Sequence, residues 1–328
     1  MTIIWTDFHG RVHKTLRQRQ LLPKQASVLI AVSGGQDSLC LLRLLSDLQA
    51  KWDWRLGVAH CDHRWSGDVG MADHVQKVVE AYRLPFFRMT ASTPVVATEA
   101  SARSWRYQML TDCCQENEYN YLVTGHTGSD RAETLLYNLI RGSGTDGLQA
   151  LTWQRPLTEN IALVRPLLNF TRAETQQVCT QLNLPVWEDI ANQNLAYARN
   201  RIRQQILPQI KAHFNPQVEI ALAQTAEVLQ AETNYLHTLA TDLFLKASTQ
   251  TPEHSLSRLP LQTAPLALKR RVMRLFWQQS FQASPRFEQI EELTALIHAP
   301  NKSRTSSFPG NVYAEVKENL IVWNNSDQ

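Results

Sequence analysis

One short segment of the chain joins residues that suit phosphate binding to a carboxylate that suits a metal ion. It is Ser33-Gly34-Gly35-Gln36-Asp37-Ser38. Adjacent glycines permit positive φ angles and let a phosphate approach the backbone closely. Asp37 is a poor neighbour for phosphate unless Mg²⁺ lies between the two. The segment therefore predicts a site for a magnesium-bound phosphate chain, with a plain glycine turn as the alternative.

The residues on either side fit a turn from a strand into a helix. Val28–Val32 is apolar and β-branched, and Leu39–Leu45 has the composition of a buried helix. The N–H groups at the start of such a helix face a bound anion. The Gly-Lys-Ser/Thr of the common nucleoside-triphosphate loop is missing. The segment resembles instead the pyrophosphatase loop, SGGxDS, of enzymes that split ATP into AMP and pyrophosphate, which implies that residues 33–38 bind ATP.

Further candidate residues follow the end of a later strand. Gly125-His126 closes an apolar run, and Asp130 and Glu133 begin the next helical pattern. Ligands of parallel sheets bind at the carboxyl ends of the strands, so we expect these three side chains to face one pocket. A helix-capping pair, with Asp130 at the N-cap and Glu133 at N3, is the alternative for the two acids.

Arginines supply two further kinds of candidate. Arg103 and Arg106 share a helix face, where an arginine beside an ATP site can bind phosphate in a bidentate way. Other basic residues suit the phosphates of a polynucleotide, and a solvated surface is the alternative for all of them. The residues predicted to bind a polynucleotide are Arg141, Arg199, Arg201, Arg203, Lys269, Arg270, Arg271 and Arg274.

The elements that must position these residues alternate between strand and helix. Strand patterns occur at 28–32, 55–60, 86–89, 121–124 and 161–164. Helical patterns separate them, and Thr171 with Glu174 fits a capping box at the last of these helices. The order predicts an α/β fold with a parallel five-stranded sheet and helices on both faces.

The alternation stops near Leu207-Pro208. A long helical pattern with leucines at seven-residue spacing follows, then two shorter helices and a closing hairpin at 312–323. We therefore divide the chain into a catalytic domain, residues 1–211, and a smaller, mainly helical domain with a C-terminal hairpin, residues 212–328. The second domain is expected to recognise the substrate.

Composition describes an ordinary soluble protein. Of 328 residues 43% are hydrophobic and 19% charged, and the net charge of +3 does not by itself establish a nucleic-acid partner. The five cysteines include no CxxC pair, which argues against a disulfide framework or a zinc site. The N-terminus lacks the apolar core of a signal peptide, so we expect a cytoplasmic protein.

Taken together, these segments resemble the tRNA(Ile)-lysidine synthases. The matching residues are Ser33 to Ser38; Ala102-Arg103 with Arg106-Tyr107; Gly125-His126 with Asp130 and Glu133-Thr134-Leu135-Leu136; Arg141 to Gly144 with Gly147-Leu148; Arg165-Pro166-Leu167-Leu168; and Asp189, Asn192 and Arg199 to Arg203 before Leu207-Pro208. The resemblance covers most of the first domain and is specific in its order and spacing.

The resemblance implies an adenine nucleotide alpha hydrolase-like fold with strand order 3-2-1-4-5, and an ATP-dependent ligation. ATP activates C2 of the wobble cytidine of the CAU anticodon of tRNA(Ile) as an adenylated base, and free lysine then displaces AMP to leave lysidine. Residues 33–38 and a Mg²⁺ on Asp37 would hold the pyrophosphate. Arg106 would stabilise charge at the α-phosphate, Asp130 and Glu133 would hold the lysine, and His126 the cytidine or a proton.

Two features depart from the family pattern. Members usually carry His-x-Asp/Asn-His followed by Arg-x-x-Ser, whereas this chain reads His60-Cys61-Asp62-His63-Arg64-Trp65-Ser66, a shortened loop whose roles stay open. Longer members carry an additional C-terminal domain, for which 328 residues leave no room. We therefore expect tRNA discrimination to rest on fewer contacts.

Three other functions compete with this one. Thiolating tRNA enzymes with the same loop need sulfur-carrying cysteines, usually paired, and the cysteines here are scattered. Glutamine-dependent amidotransferases need a second catalytic domain, which the residues before the loop cannot hold. A nucleotide-dependent RNA-binding module without catalysis is the alternative of a different class, against which Asp37 and the acid pair argue. Whether the protein is a monomer or a homodimer stays open.

Overall fold

The computed structural model describes residues 4–95, 98–187, 194–249 and 254–325. The chain forms two compact units, Met1–Gln230 and Ala231–Gln328. The boundary that we place at residue 211 marks the end of the strand–helix alternation and stays a prediction. Among the described residues, none of the helices combines the length and apolar character that a membrane crossing requires.

The first unit is built on a six-stranded sheet in the order β3-β2-β1-β4-β6-β5. Five of these strands are parallel and follow the predicted order, which confirms the fold class. The sixth, β5, pairs antiparallel with β6 and was not predicted, because Gln-Arg-Pro has no strand pattern. The strands are β1 (Ser27–Ala31), β2 (Arg55–Asp62), β3 (Phe86–Thr90), β4 (Tyr121–Thr124), β5 (Gln154–Pro156) and β6 (Ala162–Val164).

Helices cover both faces of this sheet. Val28 and Ile30 of β1 belong to one hydrophobic core, and Leu29 between them belongs to another with Leu110. This follows from the alternation of side chains along a strand. In the described segments, the α-helices of this unit that begin before residue 215 are α1 (Asp7–Gln18), α2 (Gln36–Trp52), α3 (Met71–Glu80), α4 (Glu99–Glu116), α5 (Gly128–Ile140), α6 (Thr145–Leu148), α7 (Arg172–Gln181), α8 (Ala198–Arg201) and α9 (Leu207–His213). A short 3-10 helix, Ser66–Asp68, and a π-helix, Ile202–Ile206, which contains Arg203, are also present.

One long helix, α10 (Val218–Ala247), carries the leucines at seven-residue spacing. These leucines are only partly buried. The buried residues of the last three-quarters of α10 are small and recur at the same interval, namely Ala226, Thr233, Ala240 and Ala247. The leucine spacing therefore predicts the helix correctly, but the leucines are not its most buried residues. Small side chains occupy the most buried positions because they allow close packing.

The second unit contains a four-stranded antiparallel sheet in the order β7-β8-β10-β9. The predicted hairpin is confirmed as β9 (Val312–Lys317) and β10 (Leu320–Asn325), and β7 (Ser248–Thr249) and β8 (Ser255–Ser257) extend it. Trp277 lies in its core and stacks on Phe281 with ring centroids 4.2 Å apart. The remaining helices are α11 (Leu259–Gln262), α12 (Leu266–Ser280) and α13 (Phe287–Ala295).

Candidate active site

The pyrophosphatase loop lies at the turn from β1 into α2. Gly34 has a φ of +93°, a region that favours glycine. The Ser38 hydroxyl donates to the carbonyl oxygen of Gly35 at 2.8 Å and accepts from the backbone N–H of Ser33 at 3.2 Å. These bonds define the shape of the loop without a phosphate.

A cavity of about 310 Å³ lies at the carboxyl edge of the sheet, beside this loop. The predicted site residues that line it are Ser33, Asp37, Ser38, Arg106, His126, Asp130 and Arg203. A second part of the lining is apolar and includes Ala31, Ala59 and Leu110. Residues from three strands, β1, β2 and β4, or from the turns that follow them therefore meet at one place, as the rule for parallel sheets predicts.

Gly125 allows the end of β4 to reach the loop. A Cβ atom at this position would lie 2.8 Å from the carbonyl oxygen of Asp37, which is closer than real Cβ atoms come. Any side chain at this position would push β4 and α2 apart. The glycine therefore brings His126, the next residue, against the loop.

Three carboxylates converge on one guanidinium, that of Arg172 at the start of α7. Its Nε donates to Asp37 Oδ2 at 3.2 Å, its Nη2 to Asp130 Oδ1 at 2.9 Å, and its Nη1 to Glu133 Oε1 at 3.2 Å. Burial opposes ionisation of Asp130, but the charges of Arg172 and Arg199, the neighbouring His126 ring and the hydrogen bond from Thr127 together hold the pKa of Asp130 well below its ordinary value. Burial raises the pKa of Asp37 in spite of Arg172, and the charge of Asp130 raises it further.

The start of α5 differs from our prediction. The N-cap is Thr127, and Asp130 rather than Glu133 is the N3 residue of the capping box. Asp130 Oδ2 accepts from the backbone N–H and the hydroxyl of Thr127, both at 2.8 Å. Thr127 precedes Asp130 by three residues, so the sequence contains this box too. Asp130 thus has both roles, since one oxygen caps α5 and the other faces Arg172.

Arg203 lies in the cavity. Its Nε and Nη2 donate to the two oxygens of Glu133 at 2.7 and 2.9 Å. The predicted role of Arg203 in binding a polynucleotide stays a prediction. Arg199 donates to the Thr134 hydroxyl at 3.1 Å, and Arg141 and Arg201 are exposed.

His126 is held in a neutral form. One ring nitrogen, Nδ1, lies 2.8 Å from the Thr124 hydroxyl. Burial, followed by the positive charge of Arg165, lowers the pKa of His126 well below 6.5. A neutral imidazole can donate one hydrogen bond through its N–H group, and its other nitrogen can accept a hydrogen bond or a proton at neutral pH. It carries no positive charge that could stabilise an anion.

In the second unit, the predicted basic residues lie on and around α12. Arg270 makes a bidentate ion pair with Glu291, with distances of 2.7 and 2.8 Å. Lys269 Nζ donates to the carbonyl oxygen of Gln262 at 3.0 Å. Arg274 is exposed and Arg271 is half-buried. Arg270 therefore shares its charge with an acid in the same unit.

Arg172 was missed by the sequence analysis, although a signal for it exists. It directly follows the Thr171 N-cap, after the last parallel strand, where the same strand-end rule applies. Gln36 was predicted to bind ATP as part of the loop. In the structure its side chain binds α7, since it donates to the Arg172 carbonyl oxygen at 2.8 Å and to the Thr175 hydroxyl at 3.0 Å. Asp189 and Asn192 lie outside the described residues.

Comparison with known proteins agrees with this geometry. Residues 6–210 match the family model of the PP-loop domain. The chain is 54% identical to the tRNA(Ile)-lysidine synthase of Nostoc sp., with 99% of each chain covered, and 49% identical to that of Synechocystis sp., with 97% of each covered. Among solved structures, the U34-tRNA thiolase NcsA from Methanococcus maripaludis has a TM-score of 0.59 at 17% identity, over 68% of this chain and 78% of that one, a likeness of fold alone. Identity at this level over nearly all of both sequences leads to one conclusion: the chain belongs to the tRNA(Ile)-lysidine synthase family.

Proposed function

We propose that this protein is an ATP-dependent ligase that joins lysine to C2 of the wobble cytidine of the CAU anticodon of tRNA(Ile). The products are lysidine, AMP and pyrophosphate, and the intermediate is an adenylated base. One observation carries the proposal: the pyrophosphatase loop and Asp130 line one cavity, and a second acid, Glu133, lies behind it, bonded to the cavity residues Arg172 and Arg203. An ATP-splitting loop alone fits many ligases, whereas the acid pair fits a cationic co-substrate.

Asp37 is the residue of the loop that would hold a magnesium ion. The Asp37 carboxylate points to α7, where it accepts from Thr175 and Arg172. Within the part of the chain that the structure describes, no group of three or more His, Cys, Asp or Glu side chains is arranged to hold a metal ion. Mg²⁺ in ATP sites is commonly held by one or two carboxylates together with the substrate phosphates. Asp37 would hold such an ion, and the ion would supply positive charge to the departing pyrophosphate.

The first half-reaction needs charge stabilisation at the α-phosphate and access for the base. Arg106 lines the cavity next to the loop and supplies a permanent positive charge. The neutral ring of His126 can hydrogen-bond the cytidine or accept a proton. The apolar lining at Ala31, Ala59 and Leu110 suits a purine ring.

The second half-reaction needs lysine as a nucleophile. The substrate ammonium would replace guanidinium groups of Arg172 or Arg203 on the acids Asp130 and Glu133. The acids hold the amine near C2, and loss of a proton to a neighbouring base, for which His126 is the candidate, makes it reactive. The attack forms a C–N bond as the bond between the C2 oxygen and carbon breaks, and AMP leaves with that oxygen.

We assign tRNA binding to the basic residues around α12 and to Arg141, Arg199, Arg201 and Arg203. An anticodon loop presents unstacked bases, which suits a cavity of this size. The cytoplasmic location and the choice between monomer and homodimer remain predictions.

The experiment is a product assay on purified protein. With ATP, Mg²⁺, lysine and an anticodon stem-loop RNA, we expect AMP and pyrophosphate in equal amounts and one lysine bound per RNA. Substituting uridine for the target cytidine should abolish lysine incorporation. Incorporation of sulfur instead of lysine, or RNA binding without AMP formation, would support one of the two alternatives.

A further inference from the structure

Four arginines surround one tyrosine ring beside the active-site cavity. The guanidinium carbons of Arg103 and Arg155 each lie 5.3 Å from the centroid of the Tyr107 ring, and that of Arg106 lies at 6.0 Å. Arg165 is the fourth, and its charge is among those that lower the pKa of the Tyr107 phenol although burial would raise it. The cluster joins α4, the unpredicted edge strand β5, and the residue that follows β6.

The cluster has positive charge without a counterion. Across the described ranges of the chain, no carboxylate forms an ion pair with any of these four arginines. Arg155 donates to the backbone carbonyl oxygen of Pro156 and Arg165 to that of Thr152, and the Arg165 side chain also contacts the Tyr107 phenol. Like charges this close repel one another, and a tyrosine ring offsets only a small part of that cost.

One arginine of the cluster, Arg165, is buried and has an N–H donor without an acceptor among the described residues. Arg165 is only 2% exposed, and its Nε has no hydrogen-bond partner in the described structure. Burial and then neighbouring charges, Arg199 among them, lower the pKa of Arg103. A buried unsatisfied donor is costly, so the arrangement suits an anion that arrives with the substrate.

We propose that Arg103, Arg155, Arg165 and Tyr107 bind a phosphodiester group of the RNA substrate, next to the nucleotide that enters the cavity. This inference rests on the proposed function. Guanidinium groups bind phosphate through paired N–H donors. The ATP phosphates are the less suitable occupant, because these three arginines do not line the cavity that contains the pyrophosphatase loop.

Arg155 is the residue to change, because it lies on an edge strand, is half-buried and makes no ion pair. We expect Arg155→Gln to weaken binding of an anticodon stem-loop RNA by about tenfold, as for loss of one charged hydrogen bond. The slope of log Kd against log salt should fall by about 0.7. The KM for ATP should stay unchanged. Lys77→Gln, which removes one exposed charge from α3, is the control, and Arg155→Lys should retain most of the affinity.

A change in the RNA tests the contact from the other side. Each of the two phosphodiesters that flank the target cytidine is replaced in turn by a neutral methylphosphonate. We expect one of these replacements to weaken binding to the wild-type protein and to have little further effect in Arg155→Gln. Equal losses in both proteins, or in neither, would overturn the inference. A raised KM for ATP with unaltered RNA affinity would also overturn it, since the site would then serve the nucleotide.

The readouts separate this inference from the function on which it rests. RNA binding is measured without ATP or lysine, so a protein that binds RNA through the cluster but forms no AMP contradicts the proposed function alone. Arg155→Gln could melt well below the wild-type protein. In that case two other measurements test the inference: the RNA affinity of Arg155→Lys, and the affinity of the wild-type protein for the methylphosphonate RNAs.

Discussion

Asp130 divides its carboxylate between local structure and the cavity. Oδ2 accepts two hydrogen bonds from Thr127 at 2.8 Å, and Oδ1 accepts from Arg172 at 2.9 Å. An asparagine can keep the acceptor for the cap while it loses the charge. The two roles can therefore be separated by a single substitution.

We expect Asp130→Asn to raise the KM for lysine by about 10- to 100-fold, the range for one hydrogen bond to a charged group. The KM for ATP should change much less, because the loop is retained. The measurement is initial-rate kinetics with each substrate varied in turn. An unchanged KM for lysine would restrict Asp130 to its capping role.

Asp37 is the candidate metal ligand of the loop. We expect Asp37→Asn to lower the rate of pyrophosphate release by about 100-fold or more, because the amide binds Mg²⁺ poorly. RNA binding should survive, since most of the basic residues predicted to bind RNA, Arg141, Arg201 and those of α12 among them, do not line the cavity that contains the loop. Asp112→Asn, on α4, is the matched control. An equal loss of RNA affinity would contradict the separation of the two sites.

His63 gives a stability prediction. Burial, then the charge of Arg106, lowers the pKa of His63 from 6.5 to about 4. Between these pH values the unfolded chain takes up a proton that the folded protein does not, so the stabilising contribution is complete above pH 6.5 and lost as the pH falls toward 4. The free energy of unfolding should therefore decrease from pH 7.5 to pH 5, and His63→Gln should reduce that decrease. Urea unfolding at both pH values measures it, and equal pH dependence in the two proteins would refute this assignment.

At the scale of elements, the cavity depends on where helices begin. α5 and α7 both start with a threonine-capped box on the segment that follows a parallel strand, and Gly35 is the N-cap of α2. Helix starts direct N–H groups and positive dipole ends toward the same edge of the sheet. The three acids and Arg172 lie within the first two turns of these helices, so the helix starts determine their mutual geometry.

We expect Thr127→Ala to lower the free energy of unfolding by about 1 kcal/mol, the usual cost of a lost N-cap. Asp130 keeps its charge and its bond to Arg172 in this variant, so the KM for lysine should rise less than in Asp130→Asn. Thermal unfolding and lysine kinetics on both variants measure this contrast. A larger KM effect in Thr127→Ala would mean that the cap, and not the charge, controls lysine binding.

At the scale of the whole molecule, basic residues in both units are candidates for tRNA binding. Arg270 shares its charge with Glu291, whereas Arg274 is exposed on the same helix. Contacts with phosphates should reveal themselves in the salt dependence of binding.

We expect the double substitution of Arg271 and Arg274 by glutamine to weaken tRNA binding and to reduce the salt slope by about 2. The measurement is the Kd for whole tRNA over a range of salt. If the double variant matches wild type, this face of the second unit is a solvated surface.

The sequence by itself determined the pyrophosphatase loop, the five parallel strands and the acids after β4, whereas the order of the strands was implied by the family resemblance. Those features are local: a diglycine turn, an apolar run or a residue at a strand end has its meaning within a few neighbours, and the rule for parallel sheets brings the strand ends together. Only the tertiary structure decided that Arg172 joins the three acids, that Arg203 points to Glu133, and that β5 delivers Arg155 to Tyr107. These contacts link residues far apart in the chain, and β5 exists only because β6 offers an edge to pair with. Local patterns cannot encode such pairings, because each depends on how whole elements pack.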